Sequence, residues 1–190
     1  NKMKFLFFGD VFGRPGREAL SKIIPSLKDK HKPDFIIANA ENSAHGMSVT
    51  ERSLSEMMTA GVDFFTGGNH TFAIDQVLEL FDDPLSPLIR PTNFPPGTAG
   101  QGYKIISTQK KKRLLVINVL GRTFMPQHVD CPFRALDSIF ESVPRDAYDA
   151  CLVDVHAEAT SEKQALRWYV DGKVSAVVGT HTHVQTADAD

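Results

Sequence analysis

The chain has 190 residues, 42% of them apolar, a formal net charge of −2 and two cysteines. That size and composition fit one globular domain with a sizeable core, and the charge argues against a protein that coats nucleic acid through its overall field. No apolar run approaches the roughly 18 residues that span a bilayer and no signal-peptide pattern opens the chain, while Cys131 and Cys151 form neither a C-x-x-C pair nor a disulfide framework; the expectation is a soluble, cytoplasmic protein with reduced thiols.

Apolar, β-branched and aromatic runs alternate with helix-like stretches, the signature of α/β layering around a largely parallel sheet. Phe5 to Phe8 reads as a buried strand, followed by a glycine-rich loop from Gly9 to Gly16 and a helix through Leu20, Ile23, Ile24 and Leu27. Phe35 to Ala38 is a second strand, Asn39 to Ser48 a loop, and Thr50 to Ala60 a helix that Gly61 stops. Val62 to Phe65 is a third strand, and Gly67-Gly68-Asn69-His70 a tight turn into a helix carrying Ile74, Val77, Leu78 and Phe81. Two β-α-β units result. Pro84 to Gly102, rich in proline and glycine, reads as an irregular connection. Tyr103 to Ser107 and Leu114 to Val119 read as strands joined by the solvated basic turn Lys110-Lys111-Lys112-Arg113. Cys151 to Val155 and Val174 to Val178 are two more strands, flanking a helix with Ser161 and Gln164 at capping-box spacing and Gly172 near its end.

The chemistry lies where these runs stop. Five of them are followed within a few residues by groups that bind metals: Asp10; Glu41 and Asn42; Asn69 and His70; His156; His181 and His183. Loops at the carboxyl ends of parallel strands converge on one crevice, so residues distant in sequence can meet there. Imidazoles mixed with carboxylate and amide oxygens suit iron, manganese or zinc rather than a thiolate-selected ion. Two ions about 3.5–4 Å apart, bridged by one carboxylate, would absorb seven ligands, with Glu41 as the bridging candidate. Turn chemistry alone accounts for Asp10, Asn42 and Asn69, but not for the histidines. Arg14, Arg17 and Arg122 sit in motif loops and suit either phosphate or surface carboxylates, and Phe12, Phe72 and Phe124 suit either a stacked base or core.

Gly9-Asp10-Val11, Asn39-Ala40-Glu41-Asn42, Gly68-Asn69-His70, Val155-His156 and Gly179-Thr180-His181-Thr182-His183 together resemble the calcineurin-like metallophosphoesterase pattern. The longer strings GDVFGRPGR, NAENSA, GGNHTF, NVLGRTFM, VDVHAEATSEK and VGTHTHVQTAD resemble the YmdB-like bacterial family of 2′,3′-cyclic-nucleotide phosphodiesterases. The resemblance implies a four-layer α/β/β/α metallophosphoesterase sandwich forming a single domain over residues 1–190. It also leads us to expect a C-terminally shortened chain, since relatives continue past the stretch matching Gln185-Thr186-Ala187-Asp188. Asp10, Glu41, Asn42 and His183 would hold one ion and Glu41, Asn69, His156 and His181 the other, with His70 as proton donor. The superfamily's usual D-x-H is here Asp10-Val11-Phe12 and its bridging aspartate is Glu41, departures that match the narrower family.

The implied activity is hydrolysis of a 2′,3′-cyclic nucleotide, or an RNA-derived phosphodiester, by a hydroxide that two ions activate. The ions are expected to be iron or manganese, with zinc as a third option. The resemblance further implies a homo-oligomer. Two rival readings are a phosphomonoesterase on the same site and a metal-stabilised, non-enzymatic regulatory or RNA-interacting protein.

Overall fold

The computed structural model describes residues 2–189. One sheet contains β1 (Phe5–Phe8), β2 (Phe35–Asn39), β3 (Phe64–Thr66) and β4 (Leu88–Ile89), all parallel and in that order. The other contains β5 (Tyr103–Ser107), β6 (Arg113–Leu120), β7 (Ala150–His156) and β8 (Ala176–Thr180), with β5 antiparallel to β6 and the other pairs parallel. Helices α1 (Gly13–His31), α2 (Glu51–Ala60) and α3 (Gln76–Asp82) follow β1, β2 and β3, while α4 (Pro132–Ser142) and α5 (Thr160–Tyr169) follow β6 and β7.

The period-2 alternation of strand side chains makes four layers of this inventory. On β2, Ile36 and Ala38 pack outward with Leu20 and Ile24 of α1 and Leu54 and Met57 of α2. Phe35 and Ile37 face the opposite way, into a cluster shared with Leu114 and Val116 of β6 and Ala150 and Leu152 of β7. On the far side, Cys151, Val153 and Val155 pack with Leu136 and Ile139 of α4 and Leu166 of α5. The order is therefore helices, sheet, sheet, helices, with three apolar seams. Each fully buried aliphatic or aromatic side chain in these seams contributes about 1.5–3 kcal/mol. Among the described residues, no helix is long and apolar enough to cross a membrane.

The expected elements are present, with shifted edges. The first glycine-rich loop is shorter than expected, because α1 already starts at Gly13, which has φ 55°. Pro15 sits in its first turn, where a missing N–H costs no intrahelical bond. The third strand runs Phe64–Thr66 rather than from Val62, and the last runs Ala176–Thr180 rather than from Val174. The segment from Pro84 to Gly102 is not wholly irregular: β4 lies within it and pairs with β3. Arg90 organises the rest by donating to the carbonyls of Pro91, Thr92, Thr98 and Ala99. Ser161 does not cap α5, because it already lies inside the first turn; Ala159 occupies the N-cap without a side-chain bond. Thr50 and Ser53 form the capping box of α2 instead. The basic turn is not simply solvated either, since Lys112 Nζ reaches both carboxylate oxygens of Asp34, at 2.8 and 2.7 Å. Helix α4 has no counterpart among the expected elements.

Candidate metal centre

The carboxyl ends of the parallel strands in both sheets open at the same end of the sandwich, and there the inner faces turn polar. Phe35 and Ile37 on β2 give way to Asn39; Leu114 and Val116 on β6 to Asn118; Ala150 and Leu152 on β7 to Asp154 and His156. Thr66 ends β3 and Thr180 ends β8. All six of these polar side chains are buried. A hydrogen-bonded floor thus lies beneath the loops that carry the expected ligands.

On that floor the structure brings together all seven expected ligand residues. His156 is fully buried, with Nε2 2.9 Å from Asn69 Oδ1 and 3.2 Å from Glu41 Oε1. His183 Nε2 lies 3.2 Å from Asn42 Oδ1 and 3.6 Å from Asp10 Oδ1. The Asn42 amide is oriented by its own Nδ2, which donates to the Gly46 carbonyl at 2.9 Å. The His181 ring stacks edge-on to His156 at 4.9 Å, and its backbone N–H donates to Asp10 Oδ2 at 3.0 Å. Ligand atoms of Glu41, His156 and His181 all lie within 4.8 Å of one another. Glu41, Asn69, His156 and His181 therefore surround one point, and Asp10, Asn42 and His183 a second beside it.

Three observations indicate that this donor set fits divalent cations. Two imidazole nitrogens each face a pair of acceptor oxygens, an arrangement that needs a proton or a cation between them. Among the described residues, Asp10 Oδ1 is buried without a hydrogen-bond partner, although unsatisfied buried carboxylate oxygens are costly. A Cβ built on Gly68 would lie 2.2 Å from Glu41 Oε2 and 2.5 Å from His156 Nε2, so only glycine lets the turn approach these donors. Gln127 steadies that turn through a 3.1 Å bond to the Asn69 carbonyl.

Burial works to raise the Glu41 pKa, but the hydrogen bond and charge of His156, together with the His70 amide, bring it down to about 2. Burial lowers the His181 pKa, and the neighbouring His156 adds to the effect. Burial lifts Asp154 to about 6 against the pull of His156 and three donors. It also lifts the Cys151 thiol to about 12, which suits a packing role.

His70 stands at the rim with its side chain one-third exposed. Its backbone N–H donates to Glu41 Oε2 at 3.0 Å, while Nδ1 lies 3.2 Å from Glu41 Oε1 and 3.3 Å from Asn42 Nδ2. Arg14 pairs with Glu18 and Arg17 with Glu56, so both engage carboxylates. The backbone N–H of Arg122 donates to Glu162. Phe72 packs against Phe81 and Phe94, whereas Phe12 and Phe124 are exposed, and the Phe12 ring meets His183 edge-on at 5.8 Å.

Asp154, Thr180, Thr66 and Asn39 do not stand out in the sequence as site residues. The one signal there is period-2 spacing: in Ala150, Leu152, Asp154, His156 the aspartate shares the face of a candidate ligand histidine. Glu158 is likewise missed by sequence reasoning; its carboxylate lies 3.0 Å from His181 Nε2.

Comparison with known proteins agrees with this architecture. A model described as YmdB-like protein matches residues 6–190. A Bacillus subtilis (strain 168) protein named 2′,3′-cyclic-nucleotide 2′-phosphodiesterase is 49% identical over 187 residues, covering 98% of this chain and 69% of its own. A solved structure of a hypothetical protein from Thermus thermophilus is 45% identical with a TM-score of 0.90, over 99% of this chain and 71% of that one. Another, described as a novel phosphatase from Mycoplasma pneumoniae, is 35% identical with a TM-score of 0.88, over 99% and 67%. With the match running over nearly the whole chain, the protein belongs to the YmdB-like family.

Proposed function

We propose that the protein is a metal-dependent phosphodiesterase that hydrolyses 2′,3′-cyclic nucleotides, with His70 as the proton donor. The observation that carries this reading is the pairing of imidazole nitrogens with carboxylate and amide oxygens around two adjacent points. The first point would be held by Glu41, Asn69, His156 and His181, the second by Asp10, Glu41, Asn42 and His183. Two bound divalent cations, iron or manganese by donor type, would supply an activated water and neutralise charge on the phosphoryl oxygens.

This chain's own residues supply the rest. Glu41 lies between the two sets, with Oε1 3.2 Å from His156 Nε2 and Oε2 accepting the His70 backbone N–H at 3.0 Å, so its carboxylate is placed to serve both ion sites. Hydrolysis forms a bond from the water oxygen to phosphorus and breaks the bond from phosphorus to the 2′ oxygen, the position that the Bacillus relative's name indicates. The leaving oxygen then takes a proton. His70 can provide it from Nε2, because Nδ1 can donate to Glu41 Oε1 at 3.2 Å and Nε2 has no protein partner among the described residues. The exposed ring of Phe12 beside His183 offers a face on which a base could stack. The continuous apolar seam between the two sheets supports a single domain over residues 1–190.

The test measures metal content and turnover of a 2′,3′-cyclic nucleotide on one purified sample, alongside His156→Ala. Two ions per chain with metal-dependent turnover, both impaired in the variant, are expected. Absence of bound metal after reconstitution overturns the reading. Faster turnover of a phosphomonoester than of the cyclic diester in the same assay moves it to a phosphomonoesterase.

A further inference from the structure

We infer that Asp154 is a positioning residue for the metal centre, acting on His156 through the hydroxyl of Thr180. The inference rests on the metal-centre reading above and extends it to two residues that touch neither substrate nor ion.

Asp154 is fully buried on the inner face of β7, two residues before His156. Its Oδ2 accepts from Thr66 Oγ1 at 2.5 Å and from Asn39 Nδ2 at 3.0 Å, both on the opposite sheet. Its Oδ1 accepts from Thr180 Oγ1 at 2.7 Å. A threonine hydroxyl has one hydrogen, and Thr180 gives it to Asp154. The same oxygen, 2.8 Å from His156 Nδ1, can then only accept, so Nδ1 must carry its proton. In the neutral ring that leaves the lone pair on Nε2, the nitrogen that faces Glu41 and Asn69. The chain of bonds fixes both the tautomer and the rotation of a ligand ring, as partners behind metal-bound histidines do.

The other end of the relay is equally determined. The second hydrogen of the Asn39 amide goes to the Gly67 carbonyl at 2.9 Å, and Asn39 Oδ1 receives the backbone N–H of Glu41 at 3.1 Å. The carboxylate that orients His156 is therefore anchored to the strand end from which the Glu41 loop departs. Three donors converge on the carboxylate and, among the described residues, no acceptor does, which explains why an acidic side chain occupies this position: an asparagine would turn an N–H₂ group toward at least one of them.

The experiment titrates manganese(II) into the metal-free full chain carrying Thr180→Val, which keeps the shape but removes the hydroxyl, and Thr180→Ser, which restores it. Thr180→Val is expected to weaken manganese binding about 10–100-fold, in line with losses behind metal ligands, while Thr180→Ser stays close to wild type. Because a cavity or packing defect could also weaken binding, Thr180→Val is repeated in a His156→Ala background. There it should leave the affinity of the remaining ion site unchanged, since the ring that the hydroxyl orients has gone while the His181 N–H bond to Asp10 is kept. Wild-type affinity in Thr180→Val, equal losses in the valine and serine variants, or a further loss in the His156→Ala background each overturn the inference. A wild-type chain that binds no manganese sinks the metal-centre reading, and this inference with it.

Discussion

Two polar clasps tie the same pair of sheets together at opposite ends of the sandwich. At the carboxyl end of the strands, Asp154 on β7 joins Thr66 and Asn39 on the first sheet, with every participating group buried. At the amino end, Lys112 before β6 joins Asp34 before β2, with side chains 24% and 18% exposed. The first clasp loses its water entirely, so it must satisfy each atom by direct bonds, and that requirement makes its geometry single-valued. The second keeps part of its hydration; it can shift without leaving an orphaned group and contributes mainly to stability. The two ends should therefore fail differently: damage at the carboxyl end should change function more than folding, and damage at the amino end the reverse.

His70→Ala gives the largest expected effect and breaks function with the least damage to the framework. The imidazole is partly exposed, and its backbone N–H bond to Glu41 survives truncation. Turnover should fall about 10²–10⁴-fold, the usual contribution of a positioned proton donor, with two ions still bound and the melting temperature little changed. Metal content measured beside kcat is the check. Loss of metal in step with turnover would make His70 a structural prop for Glu41 instead.

Gly68→Ala comes next and tests the cradle. The added methyl group would stand 2.2 Å from Glu41 Oε2 and 2.5 Å from His156 Nε2, so one or both donors must move. Displacing reacting groups by about 1 Å commonly costs on the order of 10²-fold in rate. Turnover should fall by about that much together with metal affinity, while overpacking costs about 1–3 kcal/mol of stability. A variant that binds metal normally would show that the turn gives way without displacing either donor.

The two clasps also differ in how far the sequence discloses them. Asp10, Glu41, Asn42, Asn69, His156, His181 and His183 stand out because each follows an apolar run, and the loops after parallel strands gather in one place. Asp154 does not, because within Leu152-Val153-Asp154-Val155 it reads as an interruption of a buried strand. Its meaning depends on Asn39, Thr66 and Thr180, which only the tertiary fold delivers. Lys112 reads as part of a solvated turn for the same reason: its partner Asp34 lies 78 residues away. Strand β4 escapes notice because two residues carry no period, and it exists only by pairing with β3. Layering and ligand types are legible from local pattern; cross-sheet polar partners are not, because they are fixed by register between strands distant in sequence.

The amino-end clasp supplies the smallest effect and the sharpest contrast. Lys112 holds the Asp34 carboxyl below the ordinary aspartate range, with the Lys4 amide adding to the effect against the opposing pull of burial. A carboxylate with a depressed folded pKa contributes stability that is fully present above its unfolded value of about 3.9 and is lost as pH falls through the lower folded value. Asp34→Asn should therefore cost roughly 1 kcal/mol or less at neutral pH, and the gap between variant and wild type should close below about pH 3.9. Added salt should narrow it as well, since the pair is partly solvated. Denaturant unfolding of both proteins at several pH values measures the gap, with manganese binding followed alongside. If removing the charge of Asp34 weakened manganese binding as strongly as Thr180→Val does, the two ends would be coupled through the sheets, and the separation of function from stability along the strands would be wrong.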